Sequence, residues 1–358
     1  ESRLMRMARS LVAADLGVQV RLVGLQVDER SGLQPVEPGI VIDRVGNPTP
    51  KRDTLASRFQ KVGGWFQEVY RGYRDADIGV VSAHAVWALP LAWALAKRAK
   101  VPLVYNPHEL ETRTPTMAGV KKTLAEQVEA RFIRRCQVVT AVNDEIADWY
   151  AEQYRIARPL VVFNYPAEVT RGRPARDLRG ELGLRDDEVL FVHTGHLTEG
   201  RNIPLILEEF AAGARHHVLF VGEGDMRSLV EEAAEGSPFI HRMDPVPPDE
   251  VVSVVAGADM ALSLIETLSQ SYAWGSPNKL FEALAAGVPV LASDLPEMRR
   301  RLPAELLLTS ARDQLQGFLT DLTRPRALAY REQLAPLPTW EEGVGPLIGA
   351  YRDLLHVG

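Results

Sequence analysis

Short apolar runs rich in Val, Ile and Leu alternate with helical patterns along almost the whole of this 358-residue chain. A strand covered on both faces carries no polar face, so it reads as one continuous apolar run. Joining two such strands in parallel takes a crossover, usually a helix. The alternation therefore predicts parallel sheets with helices on their faces, an α/β fold. In the first half the spacing predicts strands over 18–25, 40–45, 78–83, 102–106, 138–142 and 160–163, with helices over 55–73, 89–100, 120–135 and 144–154. In the second half it predicts strands over 189–194, 217–221, 239–242, 260–264 and 288–292, with helices over 204–214, 226–235, 249–256 and 278–286. Residues 1–15 read as an amphipathic helix, with Leu4, Ala8, Leu11 and Val12 on one side and Arg3, Arg6 and Arg9 elsewhere. A helix in that position leads us to expect a further strand and loop upstream of it.

At this length a chain outgrows a single core, so two domains are expected. Residues 165–180 (YPAEVTRGRPARDLRG) lack apolar periodicity and are rich in Pro, Gly and Arg, the signature of a linker. They separate a first domain over 1–164 from a second that begins at 181, with a cleft between the two as the expected ligand site. The balance of charge changes at the same place. Residues 1–165 carry 23 Lys and Arg against 18 Asp and Glu, and the remainder 18 against 29. The basic half suits an acidic acceptor or an anionic membrane, or is simply a solvated surface. Its helix over 119–135 repeats Val120, Leu124, Val128 and Phe132, a stripe that either lies on a membrane or packs on the protein's own sheet. No apolar run approaches the roughly 20 residues of a membrane span. The single cysteine, Cys136, excludes an internal disulfide and fits a reducing cytoplasm, and without a Cys/His cluster a structural zinc site is not expected.

Four loops of the second half follow predicted strands. Residues 276–290 (SPNKLFEALAAGVPV) read as a helix with both ends marked: Ser276 suits an N-cap, Pro277 the first helical position and Gly287 the left-handed residue that closes it. Free amides and partial positive charge at such a helix start suit an anion, with Lys279 adding a full charge and Glu282 projecting from the next turn. An ordinary αβ unit with a surface Lys and Glu fits the same letters. Residues 194–202 (TGHLTEGRN) allow close backbone approach at their glycines and offer Arg201 as a guanidinium fork for phosphate. Residues 221–225 (VGEGD) form another Gly turn, and residues 242–248 (RMDPVPP) a Pro-rich one whose backbone suits the edge of a flat base.

All four in this order resemble the donor domain of GT-B glycosyltransferases, specifically glycosyltransferase family 4 (group 1). The resemblance rests on Gly195 to Arg201, on the Val-Gly-x-Gly turn at 221–224, on Ala258-Asp259-Met260-Ala261-Leu262 and on the Glu-Ala-x-Ala-x-Gly-x-Pro-Val signature at 282–290. The form Pro-Asn-Lys-Leu-Phe-Glu resembles a branch common among polysaccharide and secondary-metabolite enzymes. In the first half, residues 105–110 (YNPHEL), 139–143 (VTAVN) and 162–164 (VFN) resemble the family's strand-end segments, and the tail from Thr339 to Tyr351 its closing helix. Two departures stand out. The family's paired-glutamate motif would place its first carboxylate at position 274, which is Trp274, and His196 and Glu199 stand where a basic Arg and Lys are usual.

The resemblance implies a GT-B fold of two Rossmann-like domains, with a donor domain over 181–335 and a closing helix over 336–358 that crosses back to the first domain. It implies transfer, with retention, of a hexose-type sugar from a nucleotide-diphosphate sugar to a hydroxyl acceptor that is a glycan, lipid-linked or a secondary metabolite. No metal or other cofactor and no nucleic acid is expected, and the place of action is the cytoplasm, with peripheral contact at the inner face of the membrane. Arg201, Lys279 and the amides after Ser276 are then expected to stabilise the leaving diphosphate, and Glu282 to bind the ribose hydroxyls. His108 is expected near the transferred sugar. Gly195, His196, Gly222, Arg242, Met243, Ser276, Pro277, Asn278 and Leu280 complete the donor pocket, with Glu109 or Glu111 on the acceptor side. Two rivals carry the same fold expectations: a GT-B sugar-nucleotide epimerase, and a non-catalytic nucleotide-sugar-binding partner favoured by Trp274. A dinucleotide dehydrogenase is disfavoured, since no complete GxGxxG follows a first strand.

Overall fold

The computed structural model describes residues 2–26, 30–46, 55–212 and 215–356, with the side chains of 2 and 55–61 outside that description. Residue 1 of the first expected helix, residues 213–214 of the helix expected over 204–214 and the last two residues of the closing segment lie outside the described residues. The chain divides into two units: one holds Glu1–Thr112, Thr116–Val162 and Val344–Gly358, the other Arg113–Pro115 and Phe163–Gly343.

The first unit opens on helix α1 (Ser2–Ala13), which buries Met7, Ala8 and Leu11. Arg3, counted with the polar side, is also buried and donates to the Val162 carbonyl at 3.0 Å. Strands β1 (Val20–Leu25), β2 (Gly32–Glu37) and β3 (Ile40–Val45) form a sheet in the order β1-β3-β2, with β1 and β3 parallel. The sequence reading missed β2. It is an antiparallel edge strand with Pro35 inside it, and an edge is where a strand tolerates a residue that cannot donate. Helices α2 (Leu55–Tyr73) and α3 (Leu89–Ala99) flank β4 (Val81–Ala83). Strand β5 (Leu103–Tyr105), helix α4 (Gly119–Phe132), β6 (Val138–Ala141), helix α5 (Asp144–Tyr154) and β7 (Leu160–Val161) follow. Strands β4-β5-β6-β7 make a second, wholly parallel sheet. On α4 the expected apolar stripe does not pack as one face: the helix buries Ala125 and Glu129, while Val120 is 86% exposed. Glu129 accepts hydrogen bonds from the hydroxyls of Tyr105 (2.8 Å), Tyr150 (3.2 Å), Tyr154 (2.7 Å) and Thr112 (3.2 Å), which is how a buried carboxylate is accommodated.

The second unit is one six-stranded parallel sheet: β8 (Leu190–Thr194), β9 (His217–Val221), β10 (Ile240–Met243), β11 (Met260–Ser263), β12 (Val290–Ser293) and β13 (Leu307–Leu308). Their order is β10-β9-β8-β11-β12-β13, the doubly wound 3-2-1-4-5-6 arrangement. Each strand feeds both cores, which explains the unbroken apolar runs: Val189 and Phe191 pack on one face, Leu190 and Val192 on the other. Helices α6 (Ile203–Ala211) and α7 (Arg227–Gly236) follow β8 and β9, and α8 (Asn278–Ala285) precedes β12. The buried Asp259, just before β11, accepts from Arg179 (2.7 Å), Arg324 (3.0 Å) and the Leu190 amide (2.9 Å), so the Ala-Asp pair of the motif fastens the central strands. Residues 165–180, expected as a linker, belong to this unit: the Tyr165 and Phe281 rings sit 5.1 Å apart and Leu178 is fully buried. The closing helix α9 (Gly345–His356) lies in the first unit, where Leu347 and Tyr351 are buried.

Candidate active site

In a doubly wound sheet the crevice opens where the strand order reverses, here between β8 and β11. The loop after β8 is held from both sides. Against β9, Gly195 (φ +99°) donates to Val221 at 2.9 Å and Leu197 to Glu223 at 2.9 Å, and Met226 donates back to Leu197 at 2.9 Å. A Cβ on Gly222 would stand 1.9 Å from the Gly195 carbonyl oxygen, and one on Gly224 would stand 2.3 Å from that of Leu197. Gly222 thus admits a neighbouring backbone rather than a ligand. Against β11, the Gly200 carbonyl accepts from Glu266 at 3.0 Å, and the Arg201 guanidinium lies 4.7 Å from the centre of the Tyr272 ring. That contact holds the cation against the ring face.

Helix α8 enters beside this loop. Its cap differs from expectation by one residue: Pro277, in extended conformation (φ −68°, ψ 135°), is the N-cap, and no side chain caps the helix, so Ser276 stands outside. The far end closes as expected. Gly287 (φ +66°) donates to Leu284 and Val288 donates to Ala283, the paired bonds of a Schellman motif. Leu280, Phe281 and Ala283 are buried on one face. Leu280 therefore belongs to the core, and its amide is taken by the Pro277 carbonyl at 3.0 Å, which removes it from the donor pocket.

On the other face, Lys279 Nζ lies 3.0 Å from Nε2 of His193, a fully buried residue one position before the end of β8. An ammonium only donates, so Nε2 accepts and the imidazole proton belongs on Nδ1, which has no hydrogen-bond partner among the described residues. Burial, then the charges of Lys279 and Arg201, hold the His193 imidazole well below its ordinary range and therefore neutral. Burial first, and the neighbouring Arg201 second, pull Lys279 down to about 7, opposed by Glu282 on the next turn. Among the described residues neither Lys279 nor Arg201 has a carboxylate ion pair. With no carboxylate ion pair on either cation among the described residues, and Glu282 on the next turn opposing only in part, the switch point of the sheet carries an excess of positive charge.

The remaining donor-side residues divide. Gly195, His196 and Asn278 are exposed, and Asn278 accepts from the Asn164 amide at 2.6 Å. Arg242 is committed elsewhere: Glu231 (3.2 Å), Glu223 (3.5 Å) and Asp244 (2.5 Å) surround it, so its charge is already balanced. Met243 packs on the core and its sulfur accepts from Arg176 at 3.4 Å. His193 and Tyr272 escaped the sequence reading. The histidine interrupting the apolar run Leu190–Thr194 was the available signal, while nothing local marks Tyr272.

In the first unit His108 is half-buried beyond β5, its Nε2 3.2 Å from Nδ1 of His84. Behind them the chain continues through Ser82 (3.1 Å from His84), Asn106 (2.8 Å) and Thr140 (2.8 Å), with the Tyr351 hydroxyl close to Ser82 and Asn106. Glu109 is exposed. Glu111 turns inward, where its carboxylate accepts from the Val86 amide at 2.5 Å and burial raises it to about 8. It fixes the turn that carries Val86.

Residues 1–166 match the family model described as Glycosyltransferase Family 4, and residues 188–329 match that described as Glycosyl transferases group 1. Among solved structures, the chain is similar to a sucrose-phosphate synthase from Thermosynechococcus elongatus (17% identity, TM-score 0.78, 99% of this chain and 93% of that one). It is also similar to Anabaena HepE in complex with UDP-glucose (15%, 0.60, 88% and 86%). WaaG, a glycosyltransferase of lipopolysaccharide biosynthesis, is similar as well (15%, 0.61, 99% and 95%). No curated protein matches it by sequence. Two Rossmann-like units carrying these loops define a GT-B glycosyltransferase. Within that class the chain belongs to glycosyltransferase family 4, the group 1 transferases.

Proposed function

We propose that this transferase moves a hexose-type sugar from a nucleotide-diphosphate sugar to a hydroxyl acceptor, with retention and without a metal. The observation that carries the reading is the pair Arg201 and Lys279, two cations that have no carboxylate ion pair among the described residues. A diphosphate placed there restores the charge balance and takes the negative charge that develops as the glycosidic bond breaks. Glu282, on the same face of α8, is assigned the ribose hydroxyls, with Gly195, His196 and Asn278 lining the donor. His108, backed by His84, is assigned to the transferred sugar and Glu109 to the acceptor side.

Anabaena HepE was solved with UDP-glucose, and a trehalose-6-phosphate synthase similar in fold (12% identity, TM-score 0.62) was analysed for glycosyl transfer with retention. Both support the donor class and the stereochemistry assigned here. Val120 and Leu124, exposed at the start of α4 beside Lys121 and Lys122, support peripheral contact with an anionic membrane bearing a lipid-linked acceptor. Among the described residues no helix is long and apolar enough to cross a membrane.

A thermal-shift series with uridine, guanosine, adenosine and thymidine diphosphates and their sugars tests the reading. A ligand at 100 times its dissociation constant adds about 2.7 kcal/mol of apparent stability. Silence across the whole series overturns the reading. A shift with neither hydrolysis nor transfer of the sugar favours a non-catalytic binding partner, the reading that Trp274 supports.

A further inference from the structure

At the carboxyl ends of β6, β5 and β4 in the first unit, a line of polar side chains crosses from strand to strand. Thr140, in β6, donates its hydroxyl to Asn106 Oδ1 at 2.8 Å, just past β5. Asn106 Nδ2 donates in turn to Ser82 Oγ of β4 at 2.8 Å. Ser82 Oγ lies 3.1 Å from Nε2 of His84, and His84 Nδ1 lies 3.2 Å from Nε2 of His108. The two imidazoles meet edge to face, with their planes 75° apart. The backbone holds them in this arrangement: Glu111 accepts from the Val86 amide at 2.5 Å, and the His108 amide lies beside the same carboxylate. Thr140 and Asn106 are fully buried, where polar groups take their partners from the protein.

The donors give this line a direction. Asn106 turns its oxygen to Thr140 and its N–H to Ser82. The buried Tyr351 hydroxyl also lies close to Ser82 and Asn106, and a phenol, the stronger acid, is the donor toward an aliphatic hydroxyl. Ser82 Oγ therefore accepts from these neighbours, and its one proton goes to Nε2 of His84. A neutral imidazole that accepts on one nitrogen carries its proton on the other. His84 thus donates from Nδ1 to Nε2 of His108, and the His108 proton resides on Nδ1.

We infer that His84 is a positioning residue that fixes His108 in its Nδ1–H tautomer, so that His108 meets the transferred sugar as a hydrogen-bond donor and not as a base. The inference rests on the assignment of His108 to that sugar. A hydroxyl or ring oxygen of the sugar supplies the lone pair such a donor takes. The basic nitrogen of His108 faces His84, so it does not take a proton from an acceptor hydroxyl.

Nuclear magnetic resonance of protein carrying nitrogen-15 histidine reads the tautomer, because a protonated and an unprotonated ring nitrogen resonate far apart. The spectrum is taken without ligand at about pH 8.5, well above the ordinary imidazole value of about 6.5. His108 is assigned by the signals lost in His108→Ala. The expected pattern is a protonated Nδ1 and an unprotonated Nε2 on His108, the reverse of the form a histidine in water prefers. His84→Phe should lose this pattern, and His84→Asn, whose amide N–H takes the place of the Nδ1–H, should keep it. Ser82→Ala should lose it too, and decides alone if His84→Phe does not fold. A protonated Nε2 on His108 in the unaltered protein overturns the inference, as does a pattern that survives the loss of His84 or of the Ser82 hydroxyl. These failures leave the sugar assignment standing. The assignment falls separately if His108→Ala binds UDP-glucose and UDP with the same ratio of affinities as the unaltered protein.

Discussion

Nζ of Lys279 and Nε2 of His193 lie 3.0 Å apart, and the imidazole is held neutral by burial and two nearby cations. In the role proposed for it, Lys279 holds the diphosphate with a proton-sensitive charge. With its ammonium drawn down to about 7, nucleoside diphosphate affinity is expected to fall by up to tenfold per pH unit above that value. Calorimetry in buffers of different ionisation enthalpy should show proton uptake on binding near pH 8. The ligand-free protein should behave in the opposite sense. The folded lysine titrates below its unfolded value of 10.5, so the unfolded chain binds more protons between the two values and stability rises with pH across that window. Lys279→Ala should abolish both dependences.

Glu282 and the two cations are expected to separate by ligand. Glu282→Ala should weaken a nucleoside diphosphate by roughly 10- to 150-fold, the worth of a hydrogen bond to a charged group, while leaving inorganic pyrophosphate unaffected. Arg201→Ala should weaken both ligands alike. Titration of each variant with each ligand checks the pattern.

Gly222→Ala drives a methyl into the carbonyl of Gly195, against which it would stand at 1.9 Å. The two turns must part, at an expected cost of about 1–3 kcal/mol in denaturant unfolding. Donor affinity should fall with it, although no side chain that faces a ligand has changed.

Asp259 is fully enclosed between Arg179 and Arg324. Asp259→Ala strands two guanidinium groups and should cost about 3–5 kcal/mol, read as a lowered denaturation midpoint with an unchanged slope.

Val120→Asp together with Leu124→Asp should reduce sedimentation of the protein with anionic vesicles. Nucleotide-induced thermal stabilisation should stay intact, because these residues lie on the first unit.

Much of this was legible from letters alone. The first five parallel strands of the second unit announced themselves because both faces are buried, while the two-residue edge strand β13 did not, and Gly287 closed its helix where the sequence placed it. What the sequence concealed has particular causes. Strand β2 hid behind Pro35, and Ser276 resembled a cap because local preference cannot register that Pro277 already has the extended conformation of one. Arg242 looked available until Glu223, Glu231 and Asp244 were seen around it, a matter of three separate segments. Residues 165–180 read as a tether because Tyr165 and Leu178 are too far apart to show periodicity, yet both are anchored in the core.

The interlocked turns at Gly195 and Gly222 also bear on how such an enzyme can be changed. Their geometry is written in backbone bonds and absent side chains, while the exposed His196 and Asn278 contribute nothing to it. Diversity confined to those two positions would vary the residues proposed to line the donor on an unaltered frame, whereas diversity at the glycines would spend most of its members on misfolded loops. A directed search for new donor preference therefore starts at His196 and Asn278.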